Sequence, residues 1–296
     1  MSVQTFFVSL QSGIGLGSVY ALMALSFTLV YSATGYFHLG IGSFVTLGAV
    51  LAHVGTVGLA LPWTVTAIGA VVLVAALGVV SERVAVRPLR GRGTNEHFAV
   101  MVSTLAFMIV VEALVEFGFG AEERTVPAYL DGPPLDVFGV PVRRVYLVMV
   151  VVLAVVALVF ELVMRRTEAG RILRAAHSDP TGVELTGVSF GAVVLGTFAL
   201  AGGLAGLAGV LISPVSFASP FVGTGLLIYG FAAMAIGGFG SFAGAMAGGV
   251  LIGLVVAFTP VFGSTNLVDP LVLALVLVVL LLRPTGLLGR RVLRTV

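Results

Sequence analysis

The first 81 residues contain no Asp, Glu, Lys or Arg. A stretch that long cannot form the surface of a water-soluble domain, in which about a quarter of residues are charged. It has only His38, His53 and scattered hydroxyls with which to meet water, so it must face lipid or other helices. The rest of the chain agrees, because 59% of its 296 residues are hydrophobic and 9% charged. Lipid offers no partner to backbone N–H and C=O groups, so the fold class is an all-α polytopic membrane protein. No basic segment precedes the first apolar run, which argues against a cleaved secretory signal.

A crossing needs about 20 mainly apolar residues. Such stretches run at 6–34, 39–58, 62–80, 97–119, 145–164, 189–213, 221–238, 242–260 and 268–283. The stretch 221–238 is short, follows Pro214 and Pro220, and ends in Gly237, Gly238 and Gly240; it reads as a broken or re-entrant helix. Eight or nine crossings both fit. Arg sets the orientation, since cytoplasmic loops hold the excess of positive charge. Twelve of the fifteen Arg lie in 81–96, 165–188 and the C-terminal end, which go inside. The loop 120–144 holds Arg124, Arg143 and Arg144 against Glu122, Glu123, Asp131 and Asp136, and goes outside. With nine crossings the N-terminus is outside and the C-terminus cytoplasmic. Within the outer loop, Leu135 to Val142 reads as a small β-hairpin or lid, or as a plain connector.

Two segments resemble each other: Gly42-Ser43-Phe44 with Gly48 to Leu51, and Gly240-Ser241-Phe242 with Gly248 to Leu251. They read as an internal repeat marking a translocation axis. The glycines also have a simpler account, as small residues that let helices approach: Gly13/Gly17, Gly202/Gly206, Gly244/Gly248 and Gly249/Gly253 are each four apart.

Several chemistries are excluded. There is no Cys, hence no disulfide or thiolate site. There is no Lys, so no P-loop can reach a nucleotide's β- and γ-phosphates. No Ser-His, two-His-carboxylate or HExxH arrangement is present for an intramembrane enzyme. The net charge of +2 gives no footprint for nucleic acid. Glu112 and Glu116 share a helix face as i, i+4 neighbours within a span, where a charge is costly. They are either a proton or cation relay, as in a secondary transporter or channel, or groups that snorkel or face the bundle. Glu161 has Arg165 four residues on, in the favourable order for an ion pair.

The loop 165–188 is the most informative stretch. Asp179 suits an N-cap, Pro180 a first helical residue, and Gly187 a C-terminal stop. Together they specify a helix of about two turns that could dock on a cytosolic partner or lie as an interfacial linker.

Gly17-Ser-Val-Tyr-Ala-Leu-Met-Ala-Leu25, Gly170-Arg-Ile-Leu-Arg-Ala-Ala with the Asp179–Gly187 helix, Gly237-Gly-Phe-Gly-Ser-Phe-Ala-Gly-Ala-Met246 and Arg283-Pro-Thr-Gly-Leu-Leu-Gly289 occur in order along nearly the whole chain. In these motifs it resembles the LivH-type permeases of branched-chain amino acid ABC importers. The resemblance implies one permease domain over 1–296 in a prokaryotic cytoplasmic (inner) membrane. It also implies a second permease, LivM-like or a further copy of this chain, two ATPase subunits that bind ATP and Mg, and an external solute-binding protein. This chain would then hold no cofactor and would not be an enzyme. The ATPase would be engaged through Glu168, Gly170, Arg171, Asp179, Pro180, Glu184 and Gly187. From position and polarity, Thr28, Tyr31, Ser43 and Ser241 are candidates for the pathway lining. One departure stands out: where the family reads close to Asn-Phe-Ala-His-Gly-Glu, this chain has His38-Leu39-Gly40-Ile41-Gly42-Ser43, so the roles of the Asn and acidic positions cannot be carried over.

Overall fold

The computed structural model describes residues 3–91, 95–130, 132–137, 140–178 and 189–289. Helices dominate them: α1 (Val3–Thr34), α2 (Ile41–His53), α3 (Trp63–Ser81), α4 (Glu96–Phe119), α5 (Arg144–Arg166), α6 (Glu168–Ser178), α7 (Phe190–Ser216), α8 (Val222–Gly237), α9 (Phe242–Phe262) and α10 (Val268–Leu282). Wider turns extend α2 through Gly58 and α3 through Val86. Eight helices among the described residues are long and apolar enough to cross a membrane. With 16 residues, α8 spans about 24 Å, short of the roughly 30 Å hydrocarbon core. Of the two readings of the loop 120–144, a hairpin is the one found: β1 (Leu135–Val137) and β2 (Val140–Val142) pair antiparallel, with Leu135 opposite Val142.

The chain divides into two compact units, residues 1–28, 130–153 and 228–296 in the first, and 29–129 and 154–227 in the second. In the first unit, glycines set the approach of α1 and α9. A Cβ added at Gly17 would lie 2.8 Å from the Val250 Cα, and one at Gly249 would overlap the Ala21 backbone. Gly253 in turn faces Gly13 and Gly17. Two of the small-residue pairs read from the sequence therefore meet each other, backbone against backbone. Further along α9, Gly244 and Gly248 lie against Gly237 and Ala233 of α8.

In the second unit, α7 packs extensively on α2 and α3. Gly48 meets Gly206, Gly209 meets the Val45 carbonyl, and Gly202 and Gly78 lie against Val74 and Phe198. Without side chains at these points the helices approach closely and gain dispersion contacts along their length, which is how apolar helices associate where water supplies no driving force. The segment between α7 and α8 is pinned: the backbone of Ala218 exchanges hydrogen bonds of 2.9 and 2.8 Å with that of Arg124. Arg124 also donates from Nη2 to the Phe119 carbonyl at 2.8 Å, closing the end of α4.

Candidate functional site

The segment predicted to engage an ATPase begins at the junction of α5 and α6. Thr167 organises it, with its Oγ1 donating to the Val163 carbonyl at 2.7 Å and accepting the Gly170 N–H at 3.3 Å. It thereby ends one helix and caps the next. A Cβ at Gly170 would collide with the backbone of Val163 and Met164, so glycine permits the tight fold-back. Glu168 and Arg171 pair at 3.3 Å across one turn with side chains 86% and 68% exposed. Such a pair adds little stability but displays both charges. Asp179, Pro180, Glu184 and Gly187 lie outside the described residues. The helix α6 itself was not anticipated. Its signature was present in Thr167-Glu168 as a helix start and in Ala169, Ile172, Leu173 and Ala176 at i, i+3, i+4 and i+7.

Three of the four candidate pathway hydroxyls are engaged with backbone. Thr28 is buried and donates to the Ala24 carbonyl at 2.7 Å, and buried Ser43 donates to the Gly40 carbonyl at 2.8 Å. Ser241 caps α9, its Oγ accepting the Gly244 N–H at 3.1 Å. Tyr31 is half-buried and stacks on Phe37 with ring centroids 5.1 Å apart. The two echoed segments thus share a local design in which a Ser hydroxyl bonds to backbone at a helix start, followed by a glycine packed against another helix's backbone.

Glu112 and Glu116 have unlike surroundings. Glu112 is 5% exposed and accepts from Thr224 Oγ1 at 2.5 Å, whereas Glu116 is exposed. Thr224 lies in the first turn of α8, where free N–H groups and the helix dipole favour a carboxylate. On the other side of that turn, the Gly223 N–H donates to Thr46 Oγ1 of α2 at 3.0 Å, and Gly223 fits against the Gly42 carbonyl. Two neighbouring helices therefore anchor the start of the short helix. Neither partner was singled out in the sequence, because pairs 112 and 177 residues apart leave no local signal.

At the divergent turn, His38 is 1% exposed between Phe44 and Phe198, with Nε2 3.0 Å from Ser81 Oγ. Burial holds its pKa down to about 3, so the ring is neutral. Gly40 is required beside it, since a Cβ would press on the ring at 2.8 Å. Nearby, the Tyr36 hydroxyl donates to Glu96, which also accepts the Gly91 N–H at 2.8 Å. Burial, and then this carboxylate, push the Tyr36 pKa up to about 12. The exposed pair Glu161 and Arg165 forms an ion pair along α5.

Two of the motifs meet in the first unit. The N–H groups of Leu287 and Leu288 donate to the carbonyls of Ile236 and Gly237 at 2.8 and 3.0 Å, satisfying the open C-terminal end of α8. Gly238 at φ 107° and Gly286 at φ 77° lie face to face, and a Cβ on either would strike the other strand of this clasp.

Residues 9–281 match the model of a family described as branched-chain amino acid transport system / permease component. The chain is 29% identical over 298 residues to the high-affinity branched-chain amino acid transport system permease protein LivH of Escherichia coli K12, covering 96% of both. It is 31% identical to BraD of Pseudomonas aeruginosa, another high-affinity branched-chain amino acid transport system permease protein, covering 95% of both. The ribose import permease protein RbsC of Escherichia coli K12 is 27% identical over 282 residues, covering 90% of this chain and 82% of that one.

Proposed function

Since the chain belongs to the branched-chain amino acid transport permease family, and is therefore a membrane-spanning transport subunit and not an enzyme, we propose that it forms one half of an ATP-driven importer for branched-chain amino acids or related small amino acid, amide or carboxylate solutes. The match over residues 9–281 carries this reading, since it takes in every described helix from α2 to α9. The second half is a LivM-like permease or another copy of this chain. Two ATP-binding subunits hold ATP and Mg, and an external solute-binding protein delivers substrate. The protein sits in the inner membrane with its N-terminus outside and its C-terminus in the cytoplasm. The absence of Lys supports leaving nucleotide binding to partners.

Coupling runs through the segment from Glu168 to Gly187. Glu168 and Arg171 present exposed charges on α6, and Gly170 holds α6 tightly to α5 so that a push on it moves the long helix as a rigid body. Asp179, Pro180, Glu184 and Gly187 form the docking helix proper. Thr28, Tyr31, Ser43 and Ser241 border the pathway, which stays weakly polar and leaves selectivity to the binding protein. Single cysteines at Asp179 and Glu184 in the assembled importer test the coupling role. Crosslinking to the ATPase subunit is expected at both, and an active complex that crosslinks at neither refutes the assignment.

A further inference from the structure

In the second unit a cavity of about 450 Å³ opens between the end of α3 and the start of α7. Glu82, Arg87 and Arg90 line it from one side, and Ser189, Gly191 and Ala192 from the first turn of α7. Glu82 is 2% exposed, and its Oε2 is buried with no hydrogen-bond partner among the described residues. A buried carboxylate oxygen left unpaired costs free energy comparable to a lost charged hydrogen bond, so the site is incomplete as it stands. The two guanidiniums do not complete it. Neither forms an ion pair among the described residues, and Arg90 lies over the Phe190 ring at 4.6 Å.

The cavity therefore makes two opposite demands. Arg87, Arg90 and the positive end of α7 call for an oxyanion. Glu82 Oε2 calls for an N–H donor close by. One ligand meets both if it joins an oxyanion to a primary ammonium. The surroundings narrow the choice further. Glu82 and Ser189 sit at or beside the ends of two membrane spans, Trp63–Val86 and Phe190–Ser216, which is the depth of phospholipid headgroups. Arg is also the side chain best matched to phosphate.

We propose that this cavity binds the headgroup of an ethanolamine phospholipid, with the phosphate held by Arg87 and Arg90 at the start of α7 and the ammonium by Glu82. The bound lipid fills the gap between the α3–α4 turn and α7, fixing the end of the helix that leads away from the coupling segment.

Native mass spectrometry on the delipidated importer complex tests this, with titration of phosphatidylethanolamine, phosphatidylcholine, phosphatidylglycerol, inorganic phosphate and free leucine. The ethanolamine lipid is expected to bind about tenfold more tightly than the choline lipid, whose quaternary ammonium has no N–H for Glu82. Glu82→Gln should erase that preference, while Arg90→Gln should weaken all three phospholipids alike. If Glu82→Gln does not assemble, the ethanolamine-to-choline ratio on the native complex decides the ammonium contact, and loss of phospholipid binding in Arg87→Gln and Arg90→Gln decides the phosphate contact. Equal binding of the ethanolamine and choline lipids by the native complex would overturn the proposal. So would displacement of the lipid by phosphate or leucine at matching concentration, which would identify a free anion or free zwitterion as the occupant.

Discussion

Gly17→Ala tests the idea that glycines set the helix spacing. An alanine Cβ there would stand 2.8 Å from the Val250 Cα, with the Gly249 and Val250 carbonyl oxygens at 3.0 and 3.1 Å. Ordinary contact begins near 3.4 Å, and the obstacle is backbone, so α1 and α9 must part by about 0.6 Å. Separation of this size forfeits roughly a quarter of the dispersion well along the contact, and overpacking of this kind costs about 1–3 kcal/mol. Against it stands the gain of about 1 kcal/mol from replacing a helical glycine by alanine. The net loss is about 1 kcal/mol. Gly69→Ala and Gly196→Ala are the controls, because their added methyls meet nothing within 4 Å and keep only the helical gain. Thermal unfolding of the purified permease in detergent should place Gly17→Ala below both controls by about 2 kcal/mol, or roughly 4–8 °C. A Gly17→Ala protein as stable as Gly69→Ala would refute the claim that backbone contact sets the α1–α9 distance.

Other expectations follow from individual contacts. Glu112→Gln preserves an acceptor for Thr224 and should keep uptake within about twofold, whereas Glu112→Leu leaves that hydroxyl only the weak acceptor Met108 Sδ at 3.9 Å and should cost about 1–3 kcal/mol of stability; abolition of uptake by Glu112→Gln would mean that its charge takes part in transport. His38 has a pKa of about 3 when folded against 6.5 in the unfolded chain, so the unfolded state binds the proton first as the pH falls. Its contribution is complete above pH 6.5 and declines toward pH 3 by up to about 1.4 kcal/mol per unit, a slope that His38→Phe should remove from a pH series of melting temperatures. Gly286→Ala forces a side chain into a left-handed backbone and against Gly238, and should open the clasp. Limited proteolysis would then cut within 283–289 faster than in the native protein.

The fold was legible where its cause is local. An uncharged stretch of 81 residues and the runs of apolar residues located the spans, because lipid imposes length and composition directly. The glycine pairs were legible as contact surfaces, but not which helix each would meet, since Gly17 and Gly249 are joined only through folding. The same holds for the site. The turn at Gly170 was visible as a motif, while α6 read as loop because Asp179-Pro180 is a stronger local helix-start signal than Thr167-Glu168. The short helix α8 read as broken because its composition is short and flanked by Pro and Gly. Its anchoring by Thr46 and Glu112 at one end and by Leu287 and Leu288 at the other rests on distant pairs that no window contains.

The most direct test of the central claim is solute uptake into proteoliposomes containing this chain with its partner permease and ATPase subunits. Uptake should require the external binding protein and ATP at the face opposite to it, and should vanish when the ATPase subunits are omitted, whatever proton gradient is applied. Gradient-driven uptake by vesicles that contain this chain alone would contradict the account.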